Sequence, residues 1–137
     1  MQRDVLRPPG LGRELGLYSH GFSVDLRSFS RLVIIAGQVG TNAAGEVVGP
    51  GDFRAQFEQT YANLQAAVEA AGGTMASIIQ LRTFMTRAGD LPTFHESRRE
   101  LYPRLFPDGV YPPNTLLVID RLVLPELLLE IEAVAAV

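Results

Sequence analysis

The chain of 137 residues contains no cysteine, which excludes disulfides, thiolate nucleophiles and cysteine-ligated metals. It contains no lysine either: all 12 basic side chains are arginines, set against 15 carboxylates for a formal charge of −3. No overall positive field gathers nucleic acid or an anionic membrane, and neither is expected as a partner. No stretch of about 18 apolar residues occurs, and the opening "MQRDVLRPPGLGRELG" lacks the uninterrupted apolar core of a signal peptide. A cytoplasmic protein is the expectation. A phosphate-binding glycine loop is missing too, because "GTNAAGEVVGPG" has the wrong spacing and does not run from a strand straight into a helix. There are only two histidines, His20 and His95, with no metal-ligand cluster and no nucleophile motif. Neither a metal nor another cofactor is expected.

What the chain does have is the material for one domain spanning residues 1–137, with the Pro/Gly-rich residues 1–14 as an N-terminal arm. At this length roughly two-thirds of the unfolded surface can be buried. Hydrophobic residues make up 47% of the sequence, which leaves apolar surface that an oligomer interface could cover. "LYSHGFSVDL" and "RLVIIAGQVGTNAAGEVVG" read as strands, the second with a β-branched centre and punctuated by Gly37 and Gly40. Phe53, Phe57, Tyr61, Leu64, Val68 and Ala71 then fall on one helical stripe, with Asp52 as its N-cap and Gly72 and Gly73 as its stop.

"SIIQLRTFMTR" is the next strand and "DLPTFHESRRELYPRLF" the next helix, opened by Asp90 and Pro92 and closed near Pro103. "TLLVIDRL" and "LLLEIEAVAAV" end the chain as two further strands. The order ββ-α-β-α-ββ predicts an α+β fold, a sheet with two helices packed on one face. Its other face must then be solvated or covered. Because "TLLVI" is apolar on both sides, burial against neighbouring subunits is the expectation.

Two side chains, Glu130 and Tyr18, stand out as candidate carriers of chemistry. "LLLEIEAVA" places Glu130 and Glu132 on the same side of a strand amid apolar residues. Burial there would raise a carboxyl pKa toward the range of a general acid or base, whereas an edge strand would simply present an acidic outer face. Tyr18, beside Ser19 and His20, is either a half-buried strand aromatic or the wall of a hydrogen-bonding pocket. His95 lies on the arginine-rich second helix, where the ordinary exposure of histidine argues for a solvated ring.

Taken in order, "YSHG", "GQVG", "QFEQTYANLQAAVEAAGG", "LRTFMTR" and "PPNTLLVIDRL…LLLEIEAVA" resemble the Rid family, also called RidA-like, YjgF-like or L-PSP endoribonuclease-like proteins, over about residues 15–136. The resemblance implies a chorismate-mutase-like fold. It also implies a homotrimer whose sheets wall a barrel, with clefts for a small-molecule ligand between subunits. In the family's deaminases an arginine after a proline binds the carboxylate of a small enamine or imine such as 2-aminoacrylate. A tyrosine, a late glutamate and a positioned water assist its hydrolysis to a keto acid and ammonia. By resemblance Tyr18 and Glu130 match the tyrosine and glutamate, and Asn114 occupies the arginine's position.

An amide cannot make the charge-assisted fork that an arginine makes with a carboxylate, where each bond is worth about 1.5–3 kcal/mol. The exchange predicts a roughly tenfold to hundredfold loss of carboxylate binding. Thr115 keeps the hydroxyl usually found next, and Leu116 replaces a residue that is often cysteine, making the cleft floor more apolar. Many family members carry an asparagine four residues after the phenylalanine of the second helix; here that position is Arg98. Arg98 either returns a cation to the cleft from the opposite wall or points to solvent beside Arg99. The expected function is hydrolysis of a small imine, enamine or related labile metabolite, with poor use of 2-aminoacrylate. Metabolite binding without catalysis is the alternative, and ribonuclease action ranks last.

Overall fold

The computed structural model describes residues 1–137. Its central sheet has four strands: β3 (Leu32–Val39), β4 (Ile78–Met85), β5 (Asn114–Val118) and β6 (Leu129–Ala136), in the spatial order β3-β6-β4-β5. The pairs β3/β6 and β4/β6 are antiparallel, while β4/β5 is parallel. The parallel pair follows from the helix α2 (Leu91–Leu105), which carries the chain back across the sheet before β5 begins. The other helix, α1 (Phe53–Ala70), connects β3 to β4.

The two helices pack on one face of this mixed sheet, and the side-chain pattern shows why. On α1, Phe53, Phe57, Tyr61, Leu64 and Val68 are buried on one stripe. They meet the inward residues of the strands, among them Ile35, Leu81, Ile131, Ala133 and Ala135. Asp52 caps α1 by accepting from the Ala55 amide, and Gly72 ends it at a φ of +84° that favours glycine. A glycine-centred close approach ties the end of β3 to α1. A Cβ at Gly40 would fall 2.8 Å from the Gln56 Cα, so α1 crosses directly over the end of β3. Gln56 itself is buried, donating to the Glu126 carbonyl and accepting from the Leu128 amide, each at 2.8 Å.

One expectation is corrected. "LYSHGFSVDL" is not a strand of the main sheet: only Phe22–Val24 is extended, as β2, and it pairs with β1 (Arg3–Val5) in a separate two-stranded ladder. The N-terminal stretch is therefore docked. The Arg3 guanidinium stacks 5.0 Å from the Phe22 ring and pairs with Asp108 at 2.9 Å. The second helix closes near Pro103 as expected, running from Leu91 to Leu105. Asp90 opens that helix at its N-cap position, though its side chain makes no cap hydrogen bond. Its carboxylate is held by Arg87 at 2.7 Å instead.

The outer face of the sheet is uncovered within one chain. Ile34 is 71% exposed and Leu32 56%, on the same side of β3 as the pleat requires. A shallow hollow of about 170 Å³ lies there between Ile34, Val134 and the Arg82–Glu132 ion pair. No helix is long and apolar enough to cross a membrane.

Candidate functional site

Pro112 and Pro113 hold the chain extended before β5 and offer no amide to a ladder. The Pro113 carbonyl nonetheless accepts from the Leu81 amide at 2.8 Å, which sets the register of the parallel pair. Asn114 then lies beside Leu81, Thr115 beside Arg82, Leu116 beside Thr83 and Leu117 beside Phe84. Because strand side chains alternate, Asn114 and Leu116 point to the helix side and Thr115 to the outer face. Asn114 Oδ1 accepts from the Thr83 hydroxyl at 2.7 Å, and its Nδ2 has no partner within the chain.

Asn114 and Leu116 form one wall of a cleft of about 260 Å³ whose other walls include Tyr18, Phe94, His95 and Arg98. The segment carrying Tyr18 is pinned from two sides. Ser19 Oγ donates to the Tyr111 carbonyl at 2.6 Å, and Arg98 Nη2 donates to the Leu17 carbonyl. The Tyr18 hydroxyl accepts from the Leu15 amide at 3.3 Å.

Arg98 does not point to solvent. It is only 2% exposed, with its guanidinium 4.4 Å from the centroid of Tyr102 and 5.0 Å from that of Phe94. Nη2 also donates to the Tyr102 hydroxyl at 2.7 Å, and that hydroxyl is in turn 2.7 Å from the Tyr61 hydroxyl. Burial, the first cause, holds the Tyr61 phenol far above its ordinary pKa. No carboxylate pairs with Arg98, and its Nε is buried without a hydrogen-bond partner. Stacking on two rings and two hydrogen bonds partly offset the cost of burying the cation. A buried cation without an anion beside it is an electrostatic deficit that a ligand anion would fill.

Glu130 is elsewhere. It is paired in register with Phe84 and Val39, which places it, like Thr115, on the outer face of the sheet. One chain therefore brings Tyr18, Arg98, Asn114 and Leu116 together but leaves Glu130 and Thr115 on the opposite side. The Glu130 side chain lies across Gly37, where a Cβ would fall 1.8 Å from Oε1. The ladder is irregular between Ile35 and Gln38 at this point, and only a glycine leaves room for the carboxylate. Burial first, and the neighbouring Glu132 second, push the Glu130 carboxyl above its ordinary pKa.

His95 is the cleft residue that sequence reasoning set aside. Its ring is half-buried because the backbone around Gly16 folds over it, a contact between residues far apart in the chain. A signal was present: His95 precedes Arg98 by three positions, so any helix places both on one face.

The geometry can be set beside known proteins. A family profile described as Endoribonuclease L-PSP matches residues 14–137. The crystal structure of YyfB from Yersinia pestis, a protein of unknown function in the conserved Rid family, aligns over 100% of both chains with a TM-score of 0.84 and 35% identity. Escherichia coli TdcF is 33% identical over 135 residues, 96% of this chain and 93% of its own. Its crystal structure with bound serine aligns with a TM-score of 0.69 over 97% of this chain and 98% of that one. The 2-iminobutanoate/2-iminopropanoate deaminase of Dermatophagoides farinae is 26% identical over 105 residues, covering 77% of this chain and 78% of its own. With its two helices on one face of a mixed sheet and these matches along nearly its whole length, the chain belongs to the endoribonuclease L-PSP family, that of the Rid and YjgF proteins.

Proposed function

We propose that the protein is a Rid-type hydrolase that deaminates a small reactive imine or enamine bearing an anionic group, in clefts completed by neighbouring copies of a homotrimer. The observation that carries this reading is Arg98, a buried cation with no carboxylate partner, set in one cleft with Tyr18 and Asn114. The cleft suits a ligand of a few heavy atoms. The names of the relatives point the same way: one is an imine deaminase and another has been crystallised with serine, a small amino acid.

In this reading Arg98 takes over the anchoring that position 114 lacks. The anion binds from the helix wall, the Asn114 amide donates one neutral hydrogen bond, and Tyr18 closes the cleft over the C=N group. Thr115, on the outer face, supports the subunit contact beside the cleft. Glu130 reaches the ligand from a neighbouring copy packed on that face, where exposed Ile34 and Leu32 supply apolar contact area. Its raised pKa suits a group that takes a proton from attacking water and later returns it.

The test is ammonia and keto-acid release from freshly generated 2-aminoacrylate and a panel of imines, for wild type, Arg98→Met, Arg98→Lys and Asn114→Arg. Arg98→Met is expected to raise KM about tenfold to a hundredfold for anionic substrates, as loss of one or two charge-assisted bonds would. Arg98→Lys should recover part of it. An inert wild type that Asn114→Arg activates, with Arg98 variants harmless to ligand binding, would overturn the assignment. The apolar Leu116 floor favours one second reading, a cleft that holds a metabolite without turning it over. A folded trimer that binds a carboxylate and releases no ammonia would establish it.

A further inference from the structure

We propose that His95 is a catalytic base of this cleft, taking the hydroxyl proton of the carbinolamine intermediate as its C–N bond breaks. The assignment rests on the deaminase reading above and adds a residue to it.

The placement is specific. His95 stands one helical turn before Arg98 on α2 and lines the same cleft as Tyr18, Arg98 and Asn114. It also lines an adjoining hollow of about 420 Å³ between Leu15, Pro92 and Arg99. A group shared by the two has one side on the bound ligand and the other on a route to solvent, as a residue that must shed a proton each turnover requires. The ring is also held in place. It meets Phe94 edge-on, with centroids 5.6 Å apart at 69°. On its other side runs Gly16, where a Cβ would fall 3.2 Å from Cε1 and 3.4 Å from Nδ1. Neither ring nitrogen has a hydrogen-bond partner within the chain, so both remain available to a ligand.

Few charged or titratable groups surround the ring. From α2 they are Arg98 and Arg99; from the segment packed above it, Tyr18; and β5 contributes only the uncharged Asn114 and Leu116. No carboxylate stabilises an imidazolium here. Burial first, then Arg98 and Arg99, hold the ring below the ordinary histidine pKa. It is therefore neutral, and able to accept a proton, at neutral pH.

The chemistry balances as follows. Water adds to the carbon of the protonated C=N group and loses its proton to Glu130, forming the carbinolamine. Glu130 passes that proton to the amine nitrogen. The C–N electron pair leaves with nitrogen as ammonia while the O–H pair becomes the new carbonyl bond. The hydroxyl proton goes to His95, which releases it to solvent.

Turnover is measured with the full-length protein as His95→Ala, His95→Gln and Glu130→Gln beside wild type. Removing one positioned acid–base group costs on the order of 10²-fold or more. We expect kcat to fall by about that factor in both His95 variants while KM stays within about twofold. Imidazole added to the buffer should restore part of the rate to His95→Ala and none to Glu130→Gln. The wild-type kcat should rise with pH through a value below about 6.5, and His95→Gln should lose that limb. Unchanged kcat in the His95 variants, or a loss that imidazole does not relieve and that leaves the pH limb in place, would overturn the assignment while the deaminase reading stands. A wild type that releases no ammonia from any imine would remove the deaminase reading, and this step with it.

Discussion

At the scale of single residues, one glycine decides where the Glu130 carboxylate can sit. Gly37 exists so that the Glu130 carboxylate can lie flat on β3. Gly37→Ala should therefore displace that side chain, which is free to swing away, rather than unfold the strand. We expect a melting temperature within a few degrees of wild type and at least a tenfold loss of ammonia release, measured on the same preparation. Glu130 also carries a stability signature. Its pKa is raised on folding, so the native state binds more protons than the unfolded state between the ordinary and the raised value, and stability falls as pH rises through that window. Glu130→Gln removes this loss, so it should melt above wild type at pH 7, with the difference closing toward pH 4. A group retained at a cost to stability fits a functional role better than a packing one. Position by position, the site was half legible in the sequence. Alternation along "NTLL" is enough to put Asn114 and Leu116 on one face and Thr115 on the other. Whether Glu130 shares their face depends on a pairing register that no local pattern encodes. The burial of Arg98 depends on Leu17, Phe94 and Tyr102 folding around it, and composition favours the exposed reading that the structure contradicts.

At the scale of elements, what was readable had a period and what was not had none. The α1 stripe and its Asp52 cap follow from spacing alone, as do β3, β4 and β6. The ladder β1/β2 is three residues a side, too short for alternation to register, and is held by long-range contacts of Arg3 instead. Pro103 stands in the last turn of α2, two residues before its end, so the ladder bond it removes leaves little helix beyond it to disrupt. The joint between β3, α1 and β6 rests on Gln56, whose amide satisfies one carbonyl and one amide of the 126–128 turn. Gln56→Ala leaves the buried Leu128 amide unpaired, while the carbonyl of exposed Glu126 can turn to water. It should destabilise the fold by about 1–3 kcal/mol, the cost of one orphaned buried group, as read by urea unfolding. The effect should exceed that of Gln59→Ala on the same helix, whose amide bonds only a neighbouring side chain.

At the scale of the whole molecule, the uncovered sheet face sets the expectation of assembly. Ile34 is 71% exposed in one chain, so Ile34→Glu costs the isolated fold little but places charge inside the proposed subunit contact. Sedimentation should show a trimer for wild type and a folded monomer for Ile34→Glu. Activity should be lost with the trimer, because Glu130 and the cleft lie on opposite faces of one chain. A monomeric variant that keeps full activity would mean that one chain is sufficient. The measurement that bears most directly on the proposed function is ammonia release from freshly generated imines by the purified, sedimentation-checked trimer, beside Glu130→Gln. The account predicts turnover of at least one anionic imine by wild type and a fall of about a hundredfold or more in the variant. No release from any imine by a folded trimer, or equal release by both proteins, would contradict it.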